Sequence, residues 1–101
     1  MKVVRVRWSD EALADANELV RYFELQQRNL GDRFVDAVEQ TLELIRMAPS
    51  GGASFSAQFP TDTTIRRWPV RKFRNVYVFY HVRDGDVVLI RVLHASRGAV
   101  S

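Results

Sequence analysis

The sequence predicts an α+β fold: a strand, a helical hairpin, then a three-stranded antiparallel meander, giving one mainly antiparallel sheet packed against two helices. Three observations carry that expectation. Apolar residues alternate over residues 2–8, recur at helical spacing over residues 10–47, and return to strand patterning from Thr64 onward. With 101 residues a single domain covering 1–101 is expected, because domains usually run ~100–200 residues.

The first strand is read from Val4, Val6 and Trp8, which alternate with Arg5 and Arg7. Ser9 then offers an N-cap oxygen, and Asp10 and Glu11 put negative charge at the positive end of a helix. Leu13, Ala16, Val20 and Phe23 keep helical spacing while Asp15, Glu18 and Arg21 fall on the opposite side, and the helix should fade near Gln26 to Arg28. Asn29 to Asp32 reads as a short connection carrying a new cap. The second helix has Phe34, Ala37, Val38, Thr41, Leu42 and Ile45 on one side and ends at Pro49, followed by Ser50-Gly51-Gly52. Residues 50–63 show no period and are expected to form a loop, with Phe55 and Phe59 pinning it.

Thr64 to Val70 reads as a strand, with Pro69 signalling an edge or a bulge. Phe73 to Val82 and Asp86 to His94 read as two strands joined by an Asp84-Gly85 type I′ turn, which pairs Arg83 with Asp86. Extending that register puts Val76, Val78, Tyr80 and Val82 on one face with Val87, Leu89, Arg91 and Leu93. Tyr77, Phe79 and His81 then share the other face with Val88, Ile90, Val92 and His94. Both faces are largely apolar, and a helical hairpin covers only one, which leaves the other for loop, tail or partner.

Charge is unevenly distributed. Residues 1–45 carry six basic side chains and nine acids, whereas residues 46–101 carry nine basic side chains and three acids; thirteen of the fifteen cations are arginine. The second half therefore suits an acidic or nucleic-acid partner. The absence of cysteine excludes a disulfide framework and a thiolate metal site. Asp10, Glu11, Asp15 and Glu18 have no neighbouring histidine to complete a metal set, and Ser50-Gly51-Gly52 follows a helix where a phosphate loop follows a strand. No metal and no cofactor is expected. The longest apolar run, Val76 to Tyr80, is far short of the ~20 residues of a membrane span. Charge interrupts the N-terminal apolar run, so no signal peptide is expected and the cytoplasm is the default location.

Several segments together resemble the RelE/ParE superfamily of bacterial toxins, the ParE branch most closely. They are Tyr22-Phe23 closing the first helix, Ile45-Arg46-Met47-Ala48-Pro49 closing the second, and the strand Ile65-Arg66-Arg67-Trp68-Pro69-Val70. Tyr77-Val78-Phe79-Tyr80 and the ending Ile90-Arg91-Val92-Leu93-His94 followed by Arg97 complete the set. The resemblance implies the toxin of a type II toxin–antitoxin pair, neutralised by a small acidic antitoxin in a hetero-oligomer. ParE-like members poison DNA gyrase, while RelE-like members cleave mRNA on the ribosome; an inactive antitoxin-binding relative is the third reading.

RNA cleavage needs an acid and a base, with cations around the phosphate. On the nuclease reading His94 transfers a proton, Arg97 binds the scissile phosphate, and Arg67 adds charge. RelE-like nucleases usually carry a Tyr just past the last strand, and residues 95–101 contain none, which favours gyrase. On that reading Arg66, Arg67, Arg71, Lys72, Arg74, His94 and Arg97 contact the target without proton transfer. Tyr80, Leu89, Arg91 and Leu93, on one of the two apolar faces, are the expected antitoxin contacts.

Overall fold

A computed structural model describes residues 4–54 and 64–95. Strand β1 (Val6–Trp8) leads into helices α1 (Asp10–Gln26) and α2 (Leu30–Met47), followed by a single 3-10 turn (Pro49–Gly51). Strands β2 (Ala53–Ser54), β3 (Arg66–Val70), β4 (Phe73–Arg83) and β5 (Asp86–His94) complete the fold. The sheet order is β1-β5-β4-β3-β2. β1 runs parallel to β5, and every other pair is antiparallel. The expected α+β architecture is therefore present, with β1 returning to the far side of the meander.

Ser9 makes that return. Its backbone N–H donates to the Leu89 carbonyl at 3.0 Å, and its hydroxyl donates to the Ile90 carbonyl at 3.0 Å while accepting the Ala12 N–H at 3.0 Å. One residue thus ends β1, caps α1 and ties both to β5.

The connection between the helices is tighter than expected. α2 begins at Leu30, and the Asn29 side chain makes no cap bond. The Glu24 carboxylate does that work, accepting the N–H groups of Asn29 at 3.1 Å and Gly31 at 3.0 Å. Asn29 turns the chain with a left-handed φ of 70°, a conformation asparagine tolerates. A Cβ on Gly31 would stand 2.9 Å from the Val20 carbonyl oxygen, so the close approach of the helices requires glycine there.

The hairpin lays Phe23, Phe34 and Ile45 onto Val70, Val76, Val78, Tyr80, Val87, Leu89 and Val92 of the sheet. Phe23, Phe34 and Phe73 form a ring triangle with centroids 4.9–5.1 Å apart.

Three details depart from the sequence reading. Part of the expected 50–63 loop is an edge strand, Ala53 and Ser54 pairing with Arg67 and Arg66; two residues are too few to show a period. Phe55 and Phe59 lie outside the described residues. The β4–β5 register starts as expected, with Asp84 and Gly85 both at positive φ and Arg83 opposite Asp86. It then shifts, because Tyr80 faces Leu89 while Phe79 faces Arg91, leaving Ile90 as a bulge residue. The extra residue exchanges the faces beyond it: Val92 and His94 lie opposite Val78 and Val76 on the helix side, and Leu93 lies opposite Tyr77. The Pro69 signal is borne out by a second register shift between Pro69 and Val70.

Candidate functional site

The basic residues of β3 and the turn after it divide into groups with different partners. Arg66 and Arg67 are adjacent on a strand and point to opposite faces. Arg66 lies opposite Tyr80, on the helix side, and donates to the Gly52 carbonyl at 2.9 Å. Arg67 lies opposite Phe79, with its guanidinium 4.6 Å from the centre of the Tyr77 ring. Arg71, Lys72 and Arg74 are exposed beyond the end of β3. The expected target contacts Arg66 and Arg67 therefore do not share a face of the sheet.

His94 is half-buried on the helix side. Its ring centroid is 6.0 Å from that of Tyr22 and 6.2 Å from that of Phe23. It lines a groove between α1 and β5 together with Asp15, Glu18, Leu19, Arg91, Val92 and Leu93. Asp15 organises this groove. Its carboxylate accepts from Arg91 Nε at 2.7 Å, from a terminal Arg91 nitrogen at 3.0 Å and from the Val92 N–H at 3.0 Å. The bond to Asp15 holds the Arg91 guanidinium pKa above its ordinary value. The groove thus presents carboxylates, and its arginine is already engaged. Arg67 lies on the opposite face of the sheet from His94, so the nuclease pair does not meet; Arg97 lies outside the described residues. The sequence register also placed His81 and His94 on one face, and the bulge separates them. His81 stays on the outer face, where burial and then the Arg83 charge hold its imidazole pKa below the ordinary value. Its Nδ1 is buried and meets no partner among the described residues.

Tyr80 and Leu89, two of the expected antitoxin contacts, are fully buried beneath the helices and offer no surface. Arg91 is exposed but engaged with Asp15, and Leu93 is half-buried in the same groove. The sequence left open which face the helices cover, and the hairpin covers the Tyr80 side of the sheet. The large apolar residues that remain exposed lie mainly on the helical side of the molecule: Trp8 at 37%, Leu13 at 49% and Val35 at 40% exposure. These three line one apolar groove across α1 and α2, floored by Val20, Phe34 and Val38. The sequence held a signal for it, since Leu13 and Val35 are apolar residues at the margins of their helical stripes.

Comparison with known proteins settles the family. The model of the ParE toxin of type II toxin–antitoxin systems, parDE, matches residues 6–98. The chain belongs to the ParE toxin family. No curated protein sequence matches it. Among solved structures it is similar to a chain of the chromosomal ParDE toxin–antitoxin system from P. aeruginosa, with a TM-score of 0.73 at 12% identity, covering 91% of this chain and 96% of that one. At that identity the likeness concerns the fold. Membership makes this chain a toxin-family component of a type II system, for which an antitoxin is the natural partner. Among the described residues of this ParE-family chain, no helix is long and apolar enough to cross a membrane.

Proposed function

We propose that this toxin acts by binding, poisoning DNA gyrase in the cytoplasm without acid–base chemistry of its own, and that a cognate antitoxin neutralises it. The observation that carries this reading is the separation of His94 from Arg67. A phosphate beside His94 would meet Asp15 and Glu18, and the Arg91 charge there is already shared with Asp15. In-line RNA cleavage needs the reverse arrangement, with free cations around the phosphate. The antitoxin's apolar segment occupies the Trp8–Leu13–Val35 groove, a contiguous exposed apolar patch of the kind that marks a partner site.

The test is a gyrase supercoiling assay run beside a ribosome-bound mRNA cleavage assay. Gyrase inhibition with intact mRNA is the expected result, and mRNA cleavage with unaffected gyrase would overturn it. His94→Gln discriminates further, because glutamine keeps hydrogen bonding and cannot titrate near neutrality. A packing and contact role predicts a loss of about 1 kcal/mol in target binding. An acid–base role predicts a fall of ~100-fold or more in activity.

A further inference from the structure

Lys72 holds a backbone conformation that disfavours its side chain. Its φ is 69°, in the left-handed region that glycine and asparagine occupy more readily. It sits in the two-residue turn Arg71–Lys72, which joins Val70 to its strand partner Phe73. That turn is fastened from below. The buried Thr41 hydroxyl accepts the Arg71 N–H at 2.9 Å and donates to the Ala37 carbonyl at 2.8 Å. The turn is thereby fixed to α2, and its cations project from a rigid mount. A strained residue on such a mount points to a role for the side chain itself.

The surrounding charges sharpen that role. Arg46 is paired with Glu43 and Arg91 with Asp15. Arg33, Arg71 and Lys72 form no ion pair among the described residues. Arg33 and Lys72 line one cleft beside Phe73, where Asp36 is the single carboxylate in the lining. Its apolar lining is the half-buried Leu30 and Phe73 and the buried Ala37, and none of the large exposed apolar side chains borders it. A protein interface is built round an apolar centre, whereas contact with a phosphate backbone needs cations alone.

We propose that Arg33, Arg71 and Lys72 form a rigid cationic corner that contacts the phosphodiester backbone of a nucleic acid, with Lys72 as its fixed point. This deepens the reading of Arg71 and Lys72 as target contacts, adding Arg33 of α2, and rests on it only for location, since direct binding requires neither gyrase nor growth inhibition. The experiment titrates the purified full chain against labelled duplex DNA, single-stranded RNA and a polyglutamate peptide between 50 and 200 mM salt. Lys72→Asn removes the charge and suits the backbone. It should lower the slope of log affinity against log salt by about 0.9 on duplex DNA or about 0.7 on a single strand, with a Tm at least as high as the parent. Lys72→Arg should keep the slope, and Arg33→Gln combined with Lys72→Asn should lower it by about twice as much as Lys72→Asn alone. The nucleic acid with the larger response identifies the backbone recognised. An unchanged slope in Lys72→Asn, a lower Tm in that variant, no nucleic-acid binding by the parent, or tighter binding of polyglutamate than of either nucleic acid would each overturn the proposal.

Discussion

Tyr80 concentrates the chemistry of the fold in one hydroxyl. The ring is fully buried between sheet and helices, and its oxygen accepts the Gly52 N–H at 3.2 Å while donating to the Pro49 carbonyl at 2.8 Å. The 3-10 turn after α2 and the residue that leads into β2 are thus tied to the centre of β4. A Cβ on Gly52 would stand 2.5 Å from that oxygen, so glycine is required for the approach. Tyr80→Phe keeps the ring and leaves both backbone groups without their partner. The expected loss is about 1–3 kcal/mol, read as a lower urea midpoint at unchanged slope. Burial, ahead of the opposing Gly52 hydrogen bond, raises the phenol pKa above its ordinary value of 10. The folded state therefore binds this proton more tightly than the unfolded chain does. The stability it contributes is complete below pH 10 and is lost as pH rises through the folded value, so the gap between parent and Tyr80→Phe should narrow in that range. A gap that stays constant well above pH 10 would separate the hydroxyl from the effect.

Among the elements, β5 shows how far the sequence could be read. The Ser9 cap of α1, the ends of both helices, the Asp84-Gly85 turn and the near half of the β4–β5 register were legible, because capping residues, period and turn chemistry act over a few positions; the start of α2 was not, because its cap comes from Glu24 of the preceding helix. The bulge at Ile90 was not. Val87 to Ile90 is apolar throughout, so no alternation marks the position where a residue is added, and one added residue exchanges every face beyond it. His94, Arg91 and Leu93 were misplaced for that reason alone. Tyr80 and Leu89 were misread for another: two apolar faces give no local sign of which one the helices cover. What holds the far half of β5 comes from a distant element. β1 pairs only as far as Leu89, and beyond it Asp15 of α1 takes the open edge, accepting the Val92 N–H and both Arg91 donors. The two partners differ in consequence. Arg91 has 46% of its side chain exposed and Asp15 only 14%. Arg91→Ala removes a half-exposed guanidinium while Asp15 keeps its Val92 hydrogen bond, and should cost about 1 kcal/mol or less. Asp15→Ala also deprives the Val92 amide of its acceptor and should cost about 1–2 kcal/mol, with faster hydrogen exchange confined to Val92 and its neighbours. Equal losses in the two variants would assign the effect to the ion pair alone.

For the whole molecule, the proposed surfaces are spatially divided. The apolar groove crosses the two helices beside β1, while Arg33 and Lys72 line the cleft where α2 meets the β3–β4 turn. On the proposed reading this separates neutralisation from toxicity, which makes the two separable by mutation. Leu13 and Val35 are 49% and 40% exposed, so Leu13→Ser and Val35→Ser each remove about half of one side chain's burial and should each cost the free toxin about 1 kcal/mol. Together they should release growth inhibition in cells that also express the antitoxin, because the bound apolar segment loses its seat. The antitoxin should also cease to protect. A ligand of the native state present at 100 times its Kd adds about 2.7 kcal/mol of stability, and that increment in Tm should shrink in the double variant. The reciprocal substitution, Arg71→Gln with Lys72→Asn, should lower toxicity while leaving the antitoxin-dependent rise in Tm intact. If both pairs of substitutions weaken antitoxin protection equally, the antitoxin wraps across both surfaces, and the division of labour between groove and cationic corner is wrong.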